Sequence, residues 1–335
     1  MPELEKRRIG RTALHVTSIG LGTATMGGSR IQVTREEGEA MVRAAWDAGV
    51  RYVDTAPFYG VGAAEHRVGD ALRDRPREAW VLSTKVGRLL RPGVPQGGVT
   101  DGRIAPMPFH VAYDYSRDGI MRSVEDSYQR LGLSKIDILF AHDIGVYQHG
   151  VEGNRPHMHA LRESGYRALE ELKRSGTIGA IGIGVNEKEV LIEAMEFGDW
   201  DAFLLAGRYT LLEQGPLDDL LPMCVQRGTS IVVGGPLNSG ILAGRDTWNY
   251  ATAPADIAAR VKRIQAVCDA HQVPLAAAAL QFPLAHPAVC AIIPGPRTAA
   301  EFNANLELLA TRIPPTLWSD LRSAGLLHPE APTPG

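Results

Sequence analysis

Apolar positions along the chain follow two spacings in turn. Short continuous runs rich in Val, Ile and Leu predict strands at 18–21, 52–53, 80–83, 136–140, 178–183, 202–205, 230–233 and 289–293. Between them, apolar residues three and four apart predict helices at 35–48, 65–73, 117–131, 164–174, 187–197, 216–227, 254–270 and 298–309. In the first helix Ala40, Met41, Ala44, Ala45 and Ala48 share a face, and Thr34 is placed to cap it. Thr298 with Glu301 fits a capping box at the start of the last. Gly49, Gly132, Gly176, Gly198 and Gly228 each follow a helical run, where a left-handed residue ends a helix without strain.

A strand followed by a helix, eight times over, is the order of a (β/α)8 TIM-type barrel. Parallel strands covered on both faces should be continuously apolar, as DILF, AIGIG and SIVV are. No linker splits the chain, so residues 1–327 read as one domain and the Pro-rich residues 328–335 as a flexible tail. Two stretches break the rhythm. Residues 87–116, rich in Gly and Pro, and 143–164, with His149, His157 and His159, read as long loops after strands three and four. In a barrel such loops lie on the catalytic face and shape the substrate pocket.

Composition narrows the function classes. A net charge of -3 and dispersed Arg and Lys give no basic footprint for nucleic acid or membranes. The apolar stretch 273–294 is interrupted by Pro274, Pro283, His286 and Pro287, so it is no membrane span. Three cysteines, none in a CxxC, predict neither a disulfide framework nor a zinc site, and His157 and His159 lack metal-ligand spacing. The charged N-terminus is not a signal peptide. Together these point to a cytoplasmic protein acting on a small molecule, with no metal; the oligomeric state is left open.

The chemistry sits at strand ends. Asp54 ends the second strand, and Tyr59 follows five positions later, past Pro57; Lys85 ends the third strand and His142 the fourth. Neighbouring barrel strands would bring all four to one rim. A tyrosine, with an ordinary pKa of about 10, becomes a usable proton carrier if a lysine stabilises its phenolate. A buried ammonium in turn needs an aspartate. A histidine on the substrate side can hold the reacting oxygen. The alternative of a Rossmann domain at Gly20-Leu-Gly22 fails on spacing, because the third glycine position is Thr25 and no helix opens there.

These motifs resemble the aldo-keto reductase family over nearly the whole length. The likeness rests on IGLGT at 19–23, VDTAPFYG at 53–60, STK at 83–85, AHD at 141–143, IGAIGIGVN at 178–186, GGPLNSGIL at 234–242 and IIPGPRTAAEFNANL at 292–306. The resemblance implies an NAD(P)-dependent oxidoreductase on a (β/α)8 barrel, with Asp54, Tyr59, Lys85 and His142 as its catalytic tetrad. It places Gly22, Thr23 and Asn186 at the cofactor, and Gly235, Pro236, Leu237, Asn238, Ser239 and Gly240 along the pyrophosphate. Gly295, Pro296, Arg297, Thr298, Glu301 and Asn305 would reach the adenosine ribose. The chain departs from the pattern in three places: Val185 replaces a serine, Ala206 replaces a glutamine, and glycines 234 and 235 replace a stacking aromatic, for which Tyr209 is the substitute considered. Arg297 could bind the 2′-phosphate of NADP or stack on adenine; the reading favours NAD, with NADP use open.

The same departures resemble a branch that oxidises cyclic hemiacetals to lactones. A sugar hemiacetal of the L-fucose or D-threo-aldose type comes first, the hemiacetal of pyridoxal second, and NADPH-dependent carbonyl reduction is a further alternative. From a different class, a cofactor-binding regulatory subunit with little turnover stays open. Met26, Phe58, Tyr113 and Trp248 are the candidate substrate contacts.

Overall fold

A computed structural model describes residues 4–28, 32–93 and 107–335. Eight parallel strands lie side by side in chain order: β1 (Leu21–Gly22), β2 (Tyr52–Asp54), β3 (Val81–Val86), β4 (Ile138–His142), β5 (Ala180–Val185), β6 (Ala202–Ala206), β7 (Ser230–Gly234) and β8 (Val289–Ile293). The first and last strands meet through Gly20 N–H to Ile292 O at 2.8 Å and Ile292 N–H to Ser18 O at 2.9 Å, which closes the sheet into a barrel. The helices are α1 (Arg35–Asp47), α2 (Ala63–Leu72), α3 (Arg117–Leu131), α4 (Val146–Ala160), α5 (Tyr166–Arg174), α6 (Lys188–Met195), α7 (Leu220–Arg227), α8 (Ala255–Ala270), α9 (Leu275–Gln281), α10 (Ala299–Leu309) and α11 (Pro315–Ser323).

The period of two along each strand sorts its residues into two cores. Tyr52, Val81, Ile138, Phe140, Ala180, Ala202, Leu204, Val232, Ala291 and Ile293 fill the inside of the barrel. Ile19, Leu21, Val53, Leu82, Leu139, Ile181, Phe203 and Ile231 face outward and pack under the helices. Residues 6–8 and 15–17 form an antiparallel hairpin, which sequence reasoning missed. Ile9 and Val16 of this hairpin join the inner core.

Local signals held in most places. Thr34 and Glu37 form the reciprocal capping box of α1. Gly132 and Gly228 end α3 and α7 in left-handed conformation. At α10 the box is only half made: Thr298 accepts from Glu301 N–H, but the Glu301 side chain turns to Arg297.

The long loops differ from expectation. Residues 143–164 are mainly α4, which continues through one π turn at residues 161–165 into α5; Gly150 (φ 69°) and Pro156 inside it had masked the helical pattern. After β3, residues 88–92 and 109–113 pair as an antiparallel hairpin, and 94–106 lie outside the described residues. Helices α9 and α11 were not foreseen, because α9 is too evenly apolar to show a face. Residues 328–335, expected to be flexible, are tied down: His328 N–H donates to Gln214 Oε1, Arg322 donates to Ala331 O, and Ala331 is buried.

His286, 6 % exposed between α9 and β8, has its imidazole pKa pushed down to about 4 by burial. The folded state therefore binds fewer protons than the unfolded chain between the ordinary pKa of about 6.5 and 4. Its contribution is fully present above about pH 6.5 and is lost as pH falls. Urea unfolding should show stability dropping over this window, with His286→Gln reducing the drop by on the order of 2 kcal/mol. An unchanged pH slope in the variant would assign the loss to other groups.

Candidate active site

The inward register brings the predicted residues together. Asp54 pairs in register with Ser83, and Lys85 lies two further along β3, on the same inner face. His142, the last residue of β4, points inward with Phe140. Gly184 on β5 lies alongside Lys85, where an added Cβ would be 3.5 Å from Lys85 Cε, an ordinary contact. Tyr59 follows β2 on a turn pressed against the chain at Gly27. A Cβ on Gly27 would lie 2.3 Å from Gly60 N, and one on Gly60 2.4 Å from Gly27 O. Two facing glycines thus set where Tyr59 stands.

Lys85 Nζ donates to Asp54 Oδ2 at 2.7 Å and to Thr55 O at 3.0 Å; Ser83 Oγ donates to Asp54 Oδ1 at 2.7 Å. The lysine and aspartate are 2 % and 1 % exposed, so each neutralises a charge the other could not carry alone. Nζ sits 4.7 Å from the centre of the Tyr59 ring, a cation–π distance. The Tyr59 and His142 rings meet edge to face at 5.9 Å. Burial, then Arg88 and Lys85, push the His142 pKa well below the ordinary range, so the imidazole is neutral at physiological pH.

Tyr59 corrects one expectation. Its phenol lies well above the ordinary value, raised by burial and then by Asp54 and Asp143; Arg88 is the group that pulls it down. The Lys85 charge is largely cancelled by Asp54 in contact with it. Burial likewise raises the Asp54 carboxyl, against the pull of Lys85 and Ser83.

The predicted cofactor residues divide. Thr23 is fully buried, and its N–H and Oγ1 both donate to Asp54 O, which locks β1 to β2. Gly22 is buried in the barrel wall, where a Cβ would meet Ile293 O at 2.8 Å. Asn186 Nδ2 donates to Ala206 O at 3.0 Å, across the ends of β5 and β6. After β7, Gly235, Asn238, Ser239 and Gly240 all have positive φ, and Pro236 and Leu237 complete the turn. After β8, Gly295 is exposed and Pro296 buried; Arg297 donates to Glu301 through its backbone and its guanidinium, and Arg245 reaches the same carboxylate at 3.2 Å. Asn305 is buried one turn further along α10. Two guanidiniums on one carboxylate leave an excess positive charge beside open glycine backbone, which suits the anionic part of a dinucleotide.

Tyr209 does not offer a stacking face. It is fully buried in the outer core, against Phe282 at 5.5 Å and His286 at 5.6 Å. Met26, 1 % exposed, also belongs to the outer core, where it packs near α1. Trp248 donates through Nε1 to Glu213 and is half-buried in a small hairpin after β7. Phe58 and Tyr113 do border the site: Arg88 lies 4.1 Å from the Phe58 ring and 5.6 Å from that of Tyr113, and Phe58 meets His142 edge to face. Sequence reasoning missed Arg88 and gave Asp143 no role of its own. The available signal was their place just after β3 and β4, on the catalytic rim. A surface cleft of about 380 Å³ lies at the opposite end of the barrel, lined by Arg7, Ser230 and His286, away from this chemistry.

Tyr, His and a buried Lys–Asp pair thus stand together at one mouth of a closed eight-stranded α/β barrel, the arrangement of a proton-transfer site on a TIM-type barrel. The aldo/keto reductase family matches residues 18–325, and the chain belongs to that family. It is 46 % identical over 337 residues to pyridoxal 4-dehydrogenase of Microbacterium luteolum, covering 96 % of this chain and 98 % of that protein. It is 38 % identical over 333 residues to D-threo-aldose 1-dehydrogenase of a Pseudomonas species, covering 96 % of each. Among solved structures it shares its fold with an aldo-keto reductase from Bacillus halodurans in holo form, at TM-score 0.74 and 24 % identity over 97 % of both chains. No helix among the described residues is long and apolar enough to cross a membrane.

The buried pair makes a stability prediction. Asp54→Leu strips Lys85 of its countercharge and should cost about 3–5 kcal/mol in urea unfolding. The double variant Asp54→Leu/Lys85→Met should recover much of that loss. Equal losses in both proteins would mean that shape, not charge, sets the cost.

Proposed function

We propose that this enzyme oxidises a cyclic hemiacetal to its lactone with NAD+, Tyr59 serving as the proton acceptor. The supporting observation is Tyr59 beside the Lys85–Asp54 pair, edge to face with an uncharged His142. Its relatives are named for pyridoxal and for an aldose. Pyridoxal at C4 and an aldose at C1 each close onto one of their own hydroxyls, so a single reaction covers both. The 46 % identity favours pyridoxal, while the motif departures fit both reactions and do not separate them.

A nicotinamide held at the mouth would supply the hydride acceptor for the hemiacetal carbon. Tyr59 takes the proton of the hemiacetal hydroxyl, whose oxygen becomes the lactone carbonyl, and His142, uncharged, holds that oxygen by a hydrogen bond. Lys85, held by Asp54, lies over the Tyr59 ring and fixes its position beside the reacting oxygen. Because burial raises the phenol, the reactive phenolate is scarce at neutral pH. Oxidation should therefore speed up as pH rises from about 7 to 10, and a flat profile would remove Tyr59 as the titrating base.

The preference for NAD rests on Glu301. Its carboxylate engages both Arg297 and Arg245, so a 2′-phosphate would have to displace it, whereas a ribose hydroxyl can donate to it.

Two measurements test these readings. NAD+ reduction would be followed with pyridoxal, L-fucose, D-arabinose and galactose for wild type and Tyr59→Phe. The variant should lose about 10²- to 10⁴-fold in kcat while still binding cofactor. Wild-type cofactor binding without turnover on any of these substrates would favour reduction of another carbonyl or a regulatory subunit. Separately, Glu301→Gln should raise the NADP+/NAD+ ratio of kcat/KM by about tenfold; an unchanged ratio would remove Glu301 as the selector.

A further inference from the structure

Arg88 opens the hairpin after β3 and is 1 % exposed. Its Nη2 donates to Asp143 Oδ2 at 2.6 Å and to Gln148 Oε1 at 2.9 Å, while Nε and Nη1 have no acceptor among the described residues. A buried guanidinium with so few acceptors depends on the one carboxylate it has. Asp143 is unusual on its own account: it holds φ 46° without being glycine. Backbone strain of this kind persists only where surrounding contacts enforce it, and it clusters at functional sites.

The carboxylate faces the reaction. Asp143 Oδ2 is 3.5 Å from His142 Nε2, and the side chain keeps 25 % of its surface exposed while Arg88 behind it keeps almost none. Both contacts use Oδ2, which leaves Oδ1 able to accept another hydrogen bond. An ionised carboxylate only accepts, so its partner must be a donor. Arg88 cancels its charge, so the pair favours an uncharged donor such as a hydroxyl over a cation or an anion. A hydroxyl one carbon away from an oxygen held by His142 falls within reach.

We infer that Asp143 selects substrates that carry a hydroxyl on the carbon next to the reacting carbon, and that Arg88 is the residue that positions it. The inference rests on the reading that Tyr59 and His142 hold the reacting oxygen. It favours an aldose, whose C2 hydroxyl meets the requirement.

The test compares substrates that differ only in that hydroxyl. D-arabinose and 2-deoxy-D-ribose form the oxidation pair; lactaldehyde and propanal form the reduction pair, which needs no hemiacetal. Wild type should prefer the hydroxylated member by about 10- to 100-fold in kcat/KM. Asp143→Asn, which keeps an oxygen for Arg88, should narrow the preference to a few-fold, mainly by raising KM for the hydroxylated member. Arg88→Lys should retain more of the preference than Arg88→Met. The double variant Arg88→Met/Asp143→Leu leaves no lone buried charge and should show no preference if it folds as wild type does. A preference absent in wild type, or undiminished in Asp143→Asn and the double variant, overturns the inference. If the sugars are inert while the aldehyde pair keeps its preference, the hemiacetal reading fails and this inference stands. No rate on either pair overturns both.

Discussion

A lysine ammonium buried inside a barrel is the constraint on which the site depends. Lys85 is held there by Asp54 Oδ2 and Thr55 O, and Asp54 in turn by Ser83, whose Oγ also lies 3.1 Å from the Tyr52 hydroxyl. Every member of this chain sits on the inner face of β2 or β3 or just past it, so the register between those strands assembles it. A slip of one residue would turn Val53 and Thr84 inward and drive Asp54 and Lys85 into the apolar layer under the helices.

The rim repeats the same solution with loop residues. Arg88 and Asp143 form a second cation–carboxylate pair, anchored between the β3 hairpin and the start of α4 through Gln148, which also donates to the Tyr113 hydroxyl. With both cations paired to carboxylates the mouth carries little net charge, and burial, then Arg88 and Lys85, keep His142 uncharged. A polar but charge-balanced, weakly solvated mouth suits the movement of a hydride and a proton on an uncharged substrate. The cationic surplus lies instead at Arg245 and Arg297, at the exits of β7 and β8, where an anionic cofactor would be held.

The sequence by itself determined the strand–helix alternation and the presence of Asp54, Tyr59, Lys85 and His142 at successive strand ends. Both follow from local periodicity and chain order, which need no knowledge of distant contacts. It was misleading where a local signal was broken or uniform: Gly150 and Pro156 hid α4, and the even apolarity of α9 hid its face. Tertiary structure decided the rest. Tyr209 and Met26 sit close to motif residues yet turn into the outer core, because side-chain direction is set by packing rather than by sequence distance. Residues 328–335 look loose by composition but dock through Gln214 and Arg322, partners more than a hundred and about ten positions away. Arg88 and Asp143 are 55 positions apart, and no spacing rule joins them. Parallel pairing of β3 with β4, which lays the loops after them side by side, brings that guanidinium to that carboxylate.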